Sequence, residues 1–332
     1  MAIELSSLTF TNQADVVPAS GVDAIVNTGL ANTLGGNDII TGTITGSDLY
    51  GIFNSGIINT GAGHDIIISK GDIYNSGTIN TDDGNDIIIG TSQASNGIFI
   101  SLGTINTGDG NDEITGTALH SGINVNYQSI IDTGNGSDTI TGTGGYGLEN
   151  YFIINTGDGN DKITGNGTFS GGYGIVNVGT MDTGAGKDEI TGTIADGWAI
   201  YNYSGSTIDT GDGNDKITGT GTIGIYNNGI IKTGNGEDSI IVEGGFNGTG
   251  SVFLGNGKDY LKGFGSGNFD GGNGKDALEL TSGSYTVGIS GAAVNFTKDS
   301  IIMNTFGFEE LIAGNTNYDF SRLTNGQTIV VA

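Results

Sequence analysis

Eleven short loops in this chain end on an aspartate that is followed, two residues on, by isoleucine or leucine. "TGDGNDKI" (Thr156–Ile163) is typical. Close copies are "TGAGHDII" (Thr60–Ile67), "TGNGEDSI" (Thr233–Ile240) and "GGNGKDAL" (Gly271–Leu278). The closing carboxylates are Asp38, Asp65, Asp86, Asp112, Asp138, Asp161, Asp188, Asp215, Asp238, Asp259 and Asp276. Glycines flank the variable residue of the loop: Gly61 and Gly63, Gly108 and Gly110, Gly134 and Gly136, Gly157 and Gly159, Gly184 and Gly186, Gly211 and Gly213, Gly234 and Gly236, Gly272 and Gly274. Side-chain carboxylates beside freely turning glycine carbonyls form a hard-oxygen donor set. With no cysteine and only two histidines, His64 and His120, that set suits Ca²⁺ better than zinc or copper. A single such loop is no more than an Asp-Gly turn. Repetition gives the pattern its meaning.

Successive loop aspartates are 17 to 27 residues apart, a spacing that signals a solenoid, propeller or array. Three apolar columns accompany them. One contains Ile52, Ile73, Ile98, Ile123, Leu148, Ile175, Ile200 and Ile225. The second lies two residues before the loop threonine, from Ile58 and Ile79 to Ile208 and Ile231. The third lies two residues after the loop aspartate, from Ile67 and Ile88 to Ile217 and Ile240. Their neighbours alternate with a period of two, so each repeat supplies about three short strands and no helix. One repeat cannot bury a core alone, whereas stacked repeats can. The expected fold is an all-β parallel β-solenoid, a right-handed β-helix or β-roll, with about nine to eleven coils and terminal caps. The expected divisions are 1–20 as N-terminal cap, 21–280 as repeats and 281–332 as C-terminal cap.

Stacking places each loop aspartate about 4.8 Å from the next. Two unit charges at that distance repel by about 0.9 kcal/mol in water and about 3.5 kcal/mol at an effective dielectric of 20. A divalent cation between coils reverses the sign. Asp82, Asp83, Asp109, Asp158 and Asp212 add further negative charge. A further column, Asn27, Asn54, Asn75, Asn150, Asn177, Asn202 and Asn227, reads either as an inward amide ladder or as a run of ordinary Asn-Ser-Gly turns.

"GGNGKDALE" (Gly271–Glu279) fits the nonapeptide of repeats-in-toxin (RTX) proteins, and the earlier loops resemble it with threonine for the first glycine. The resemblance spans roughly residues 21–280. It implies bound calcium, with the aspartates above as ligands and loop glycine carbonyls completing the shell. It also implies type I secretion and a folded state reached outside a bacterial cell or at its surface. The apolar end "GQTIVVA" is similar to an uncleaved secretion signal and reads equally as a capping strand. RTX rolls carry calcium turns on both edges of a short coil. Most coils here are longer and show one such turn, which favours a wider, three-sided helix with one calcium-lined edge.

The formal charge of −26 repels nucleic acid and anionic lipid, so neither is an expected partner. No apolar run is long enough for a transmembrane helix. One arginine, nine scattered lysines and no Ser/His/Asp or Cys/His set leave no catalytic candidate, so no enzyme is expected. His64 reads as an outward residue of its loop. Threonine pairs such as Thr115/Thr117, Thr141/Thr143, Thr191/Thr193 and Thr218/Thr220 alternate outward, as an ice-binding array would and as ordinary exposed strands do. Phe53, Tyr74, Phe99, Tyr201 and Tyr226 form an aromatic column that suits contact with glycan or another solenoid, or plain strand packing. The expected role is a secreted, calcium-binding structural or surface protein of a sheath, surface layer or filament, with self-association into fibres. The alternative is an ice-binding or adhesin-like surface, and a polysaccharide-modifying enzyme ranks below both.

Overall fold

The computed structural model describes residues 2–18, 24–44 and 50–332. Among them the chain winds into a parallel β-solenoid of three long sheets, with 11, 15 and 14 strands, and a fourth ladder of six two-residue strands along one corner. Each full coil runs in a fixed order: first face, second face, aspartate corner, third face. The fold is therefore three-sided.

The three apolar columns lie in register, one per face. Ile25, Ile52, Ile73, Ile98 and Ile123 pair in succession on the first face. Ile58, Ile79, Ile105 and Ile131 do so on the second, and Ile67, Ile88, Ile114 and Ile140 on the third. These side chains are fully buried. Removing each from water contributes roughly 1.5–3 kcal/mol, and no other apolar core is available to a three-stranded coil.

The corner between first and second faces carries the asparagine ladder. Asn27 Nδ2 donates to Asn54 Oδ1 (2.8 Å) and Asn54 to Asn75 (2.8 Å). The ladder resumes with Asn150 to Asn177 (2.8 Å), Asn177 to Asn202 (2.9 Å) and Asn202 to Asn227 (2.9 Å). Ile100 and Val125 fill the two intervening coils as apolar rungs. The amide column is thus a ladder, and the turn is its consequence.

The ends differ from the middle. Ile3–Glu4 and Val16–Val17 add short parallel strands to the first and third faces. From Gly283 the pairing becomes antiparallel: Gly283–Ser290, Ala293–Lys298 and Ile301–Phe306 pair in turn, and the last rejoins the second face beside Gly267–Asp270. Glu310–Ala313 extends the third face beside Ala277–Leu280. The first face stops earlier, at Phe246–Asn247.

Candidate metal centre

The eleven loop aspartates form one continuous column at the corner between second and third faces, and each is at most 2% exposed. Each backbone amide donates to Oδ1 of the aspartate one coil on. The contacts run from Asp38 N–H to Asp65 (2.7 Å), through Asp138 to Asp161 (2.8 Å), to Asp259 N–H on Asp276 (2.9 Å). The second carboxylate oxygen behaves differently. Oδ2 of all eleven is buried without a hydrogen-bond partner.

The loop threonines point inward beside them. Thr107 Oγ1 donates to the Thr133 carbonyl (3.3 Å), Thr133 to that of Thr156 (3.3 Å) and Thr183 to that of Thr210 (3.3 Å). The hydroxyl thus serves the backbone of the next coil, and its nearness to the carboxyl only moderates the effect of burial. Burial pushes Asp86, Asp161 and Asp238 up to about 7, against the pull of backbone amides and the loop threonines. It pushes Asp138, Asp188 and Asp276 up to about 6, and raises Asp65, Asp112, Asp215 and Asp259. Neighbouring rungs add like-charge repulsion at several of these positions.

Glycine lets the loops stack this closely. The first loop glycine takes a left-handed conformation, as at Gly157 (φ +80°) and Gly211 (φ +80°). The second faces the carbonyl of its counterpart one coil back: a Cβ on Gly110 would lie 1.3 Å from the Gly84 oxygen. Loop carbonyls therefore run along the stack, and several first-glycine oxygens accept from the next coil, as Gly234 does from Asn256 N–H (2.8 Å). Leu34 (φ +77°) and Asp82 (φ +59°) occupy the left-handed position without the freedom of glycine.

A second acidic set faces outward. Asp83, Asp109, Asp158 and Asp212 are exposed and do not join the inner column, while Asp82 is half-buried. Loop side chains at the position before the aspartate hold the outside of the corner together. Asn85 Oδ1 accepts from Asn111 N–H (2.8 Å) and Asn160 Oδ1 from Lys187 N–H (2.8 Å). His64 is exposed and takes the same role, its Nδ1 accepting from Asn85 N–H (2.8 Å).

Two residues missed in the sequence belong to the column. Asp15 N–H donates to Asp38 Oδ1 (2.7 Å) as its first rung, with its own carboxylate taken by Thr11. At the other end Asp276 N–H donates to Glu309 Oε2 (2.8 Å), so Glu309 stands where a twelfth aspartate would. The register of Leu278 with Leu311, two residues after Glu309, is the signal that could have found it.

The residues fit a hard divalent cation in one respect and limit it in another. An unpartnered buried acceptor costs about 1–3 kcal/mol, and more when charged. The column therefore needs protons or cations at Oδ2. Oxygen-only donors suit calcium or magnesium. Yet no group of three or more His, Cys, Asp or Glu side chains converges among the described residues. An ion here would take one inner carboxylate from each coil it touches and backbone or solvent oxygens for the rest.

No family model matches this chain and no curated protein does, so the RTX resemblance rests on the loops themselves. Among solved structures, the chain is similar to a hyperactive, Ca²⁺-dependent, β-helical antifreeze protein from an Antarctic bacterium. The two are 17% identical, with a TM-score of 0.51 over 96% of this chain and 98% of that one. At that identity the likeness establishes the shared architecture: this chain is an all-β parallel β-solenoid.

Proposed function

We propose that the protein is a calcium-stabilised solenoid with a structural or surface role outside the cell, in which the inner aspartate column holds Ca²⁺ between coils. One observation carries this reading: eleven buried Oδ2 atoms in register, each with its sister Oδ1 already committed to a backbone amide. Asp38, Asp65, Asp86, Asp112, Asp138, Asp161, Asp188, Asp215, Asp238, Asp259 and Asp276 supply the side-chain ligands, and the loop glycines permit the close stacking. Bound calcium would supply the positive charge that the column lacks. The calcium dependence of the antifreeze protein supports the choice of ion. Extracellular calcium is plentiful, which suits a secreted chain that folds on export. Each site held at a hundred times its Kd adds about 2.7 kcal/mol. Far-UV circular dichroism and thermal melting in CaCl₂ and in excess EGTA test it. A much lower Tm and a weakened strand signal on chelation are expected, and an unchanged spectrum and Tm would refute the reading.

The third face favours a second reading. Thr115, Thr141, Thr164, Thr191 and Thr218 are neighbours in register over five consecutive coils, a half-buried row in which the Thr164 and Thr218 hydroxyl oxygens are themselves covered. Such a row suits ice or another ordered surface, and the antifreeze neighbour adds weight. Beside it lies a charged row in which Glu189 bridges Lys162 (3.4 Å) and Lys216 (3.3 Å). Ile89 and Ile241 end the threonines. Thermal hysteresis in calcium buffer decides: a freezing-point gap supports ice binding, and its absence at millimolar protein removes it.

A further inference from the structure

From Tyr50 on, the described strands of the first face lack exposed charge, in a chain of formal charge −26. Among the described residues, its nine strands from Tyr50–Asn54 to Phe246–Asn247 carry two carboxylates, Asp72 and Glu149, and no lysine or arginine. Both are buried, at 4% and 7% exposure. Glu149 is enclosed by Asn124 Nδ2 (2.9 Å), Tyr151 OH (3.1 Å) and the Ser121 hydroxyl. Aromatic rings make up most of the remaining outward side chains and stack from coil to coil, interrupted by Asn96, Asn124, Ile223 and Asn247. Phe53 and Tyr74 lie 5.2 Å apart and 4° from parallel, Tyr173 and Trp198 5.2 Å apart, and Tyr201 and Tyr226 4.5 Å apart. The adjoining corner, also without charge, raises an apolar ridge: Leu102 and Tyr127 are each 64% exposed. Leu102 (φ +64°) and Gln128 (φ +58°), the residue after Tyr127, hold left-handed backbone there.

We propose that this face and ridge are the surface through which two copies of the chain pair, face to face about a two-fold axis. The proposal deepens the surface-protein reading by naming the assembly contact. Charge selects the face. In a three-sided coil the aspartate corner lies between the second and third faces, opposite the first. Two acidic chains meeting through their first faces turn their stripes to opposite outer edges, beyond the roughly 10 Å over which salt lets charges interact. Pairing through the second or third face would bring the exposed corner carboxylates Asp83, Asp109, Asp158 and Asp212 of the two copies closer together. Area supports it too. Nine strands at about 4.8 Å by five residues at about 3.3 Å give roughly 700 Å² per copy, near 1,400 Å² in all. A standard specific interface buries about 1,200–2,000 Å². Ring stacking separates this occupant from a glycan. Sugars lie on the faces of aromatic rings, and here neighbouring rings cover many of those faces. Aromatic residues are enriched in such protein–protein interfaces.

Sedimentation velocity in CaCl₂ between 1 and 100 µM tests the proposal. One chain weighs 33.6 kDa, so a species of twice that mass is expected. It should tighten between 50 and 500 mM NaCl, because like-charge repulsion is screened while apolar contact is not. The double variant Leu102→Glu/Tyr127→Glu, at exposed positions outside the core, should weaken pairing at least tenfold with an unchanged melting curve. Thr193→Glu on the third face should leave the mass distribution as it was. A folded monomer at 100 µM, dissociation by salt, open-ended growth beyond the dimer, or indifference to the double variant would overturn the proposal. So would a monomer retained on neutral polysaccharide. Each of these is read in calcium with the fold intact, so failure here is distinct from failure of the calcium reading, which appears as indifference to EGTA.

Discussion

Two corners of each coil bury a column of polar side chains, and the columns close differently. At the corner between first and second faces, asparagine both donates and accepts, so Asn150, Asn177 and Asn202 satisfy one another from rung to rung. At the corner between second and third faces, aspartate only accepts. Its Oδ1 takes a backbone N–H and its Oδ2 finds nothing. A neutral amide ladder satisfies itself from rung to rung and leaves only the Asn27 oxygen at its first rung unpaired, whereas a carboxylate ladder is complete only with protons or cations. The same solenoid thus has one corner that is stable by itself and one that depends on solution conditions.

The largest way to break the contrast is steric. Gly110→Ala would drive a Cβ into the Gly84 carbonyl at the aspartate corner, and a loss of more than about 3 kcal/mol is expected in urea unfolding with or without calcium. Asp161→Asn sharpens it. The amide keeps an acceptor for Asp138 N–H and removes one charge from the column. In calcium it should destabilise by about 2 kcal/mol through loss of a ligand. In EGTA it should stabilise by about 1–3 kcal/mol, because the like-charge neighbours are relieved. The sign change between the two buffers is the test; the same sign in both would equate the corners. Asn177→Ala should lose about 1–3 kcal/mol equally in both buffers, since its ladder needs no ion.

Acidity separates the corners as well. A carboxyl raised above its unfolded value favours the fold while protonated. The metal-free protein should therefore be most stable below about pH 4 and lose stability as pH rises through about 6 to 7, where Asp138, Asp188, Asp86 and Asp161 ionise. With calcium the slope reverses, because protons compete with the ion. Melting curves from pH 4 to 8 in both buffers measure it. The smallest effect concerns the loop turn itself: Leu34→Gly, at an exposed left-handed position, should raise stability by about 1 kcal/mol.

The sequence made the repeating part of this molecule legible because its signals are periodic. Isoleucine columns and loop aspartates recur once per coil, and asparagine rungs in most coils, and register follows from recurrence. What was hidden breaks the period or the loop motif. Glu309 lies 33 residues beyond Asp276 because the antiparallel strands after Gly283 intervene, and it replaces aspartate with a longer acid. Asp15 keeps the spacing, with Val17 two residues on in register with Ile40, but lacks the glycine loop before it. Loop aspartates that look alike in sequence also part ways: Asp112 turns into the stack while Asp109, three residues earlier, turns to solvent. The first face, whose two carboxylates from Tyr50 on are buried, required all coils to be placed together before its lack of lysine and arginine meant anything.

Calcium content at saturation tests the central claim most directly. Equilibrium dialysis of the folded chain should find several ions per molecule, fewer in Asp161→Asn and an unchanged number in Asp109→Asn, whose carboxylate faces solvent. A chain that folds fully without binding calcium, or that loses its ions with Asp109 and keeps them without Asp161, would contradict it.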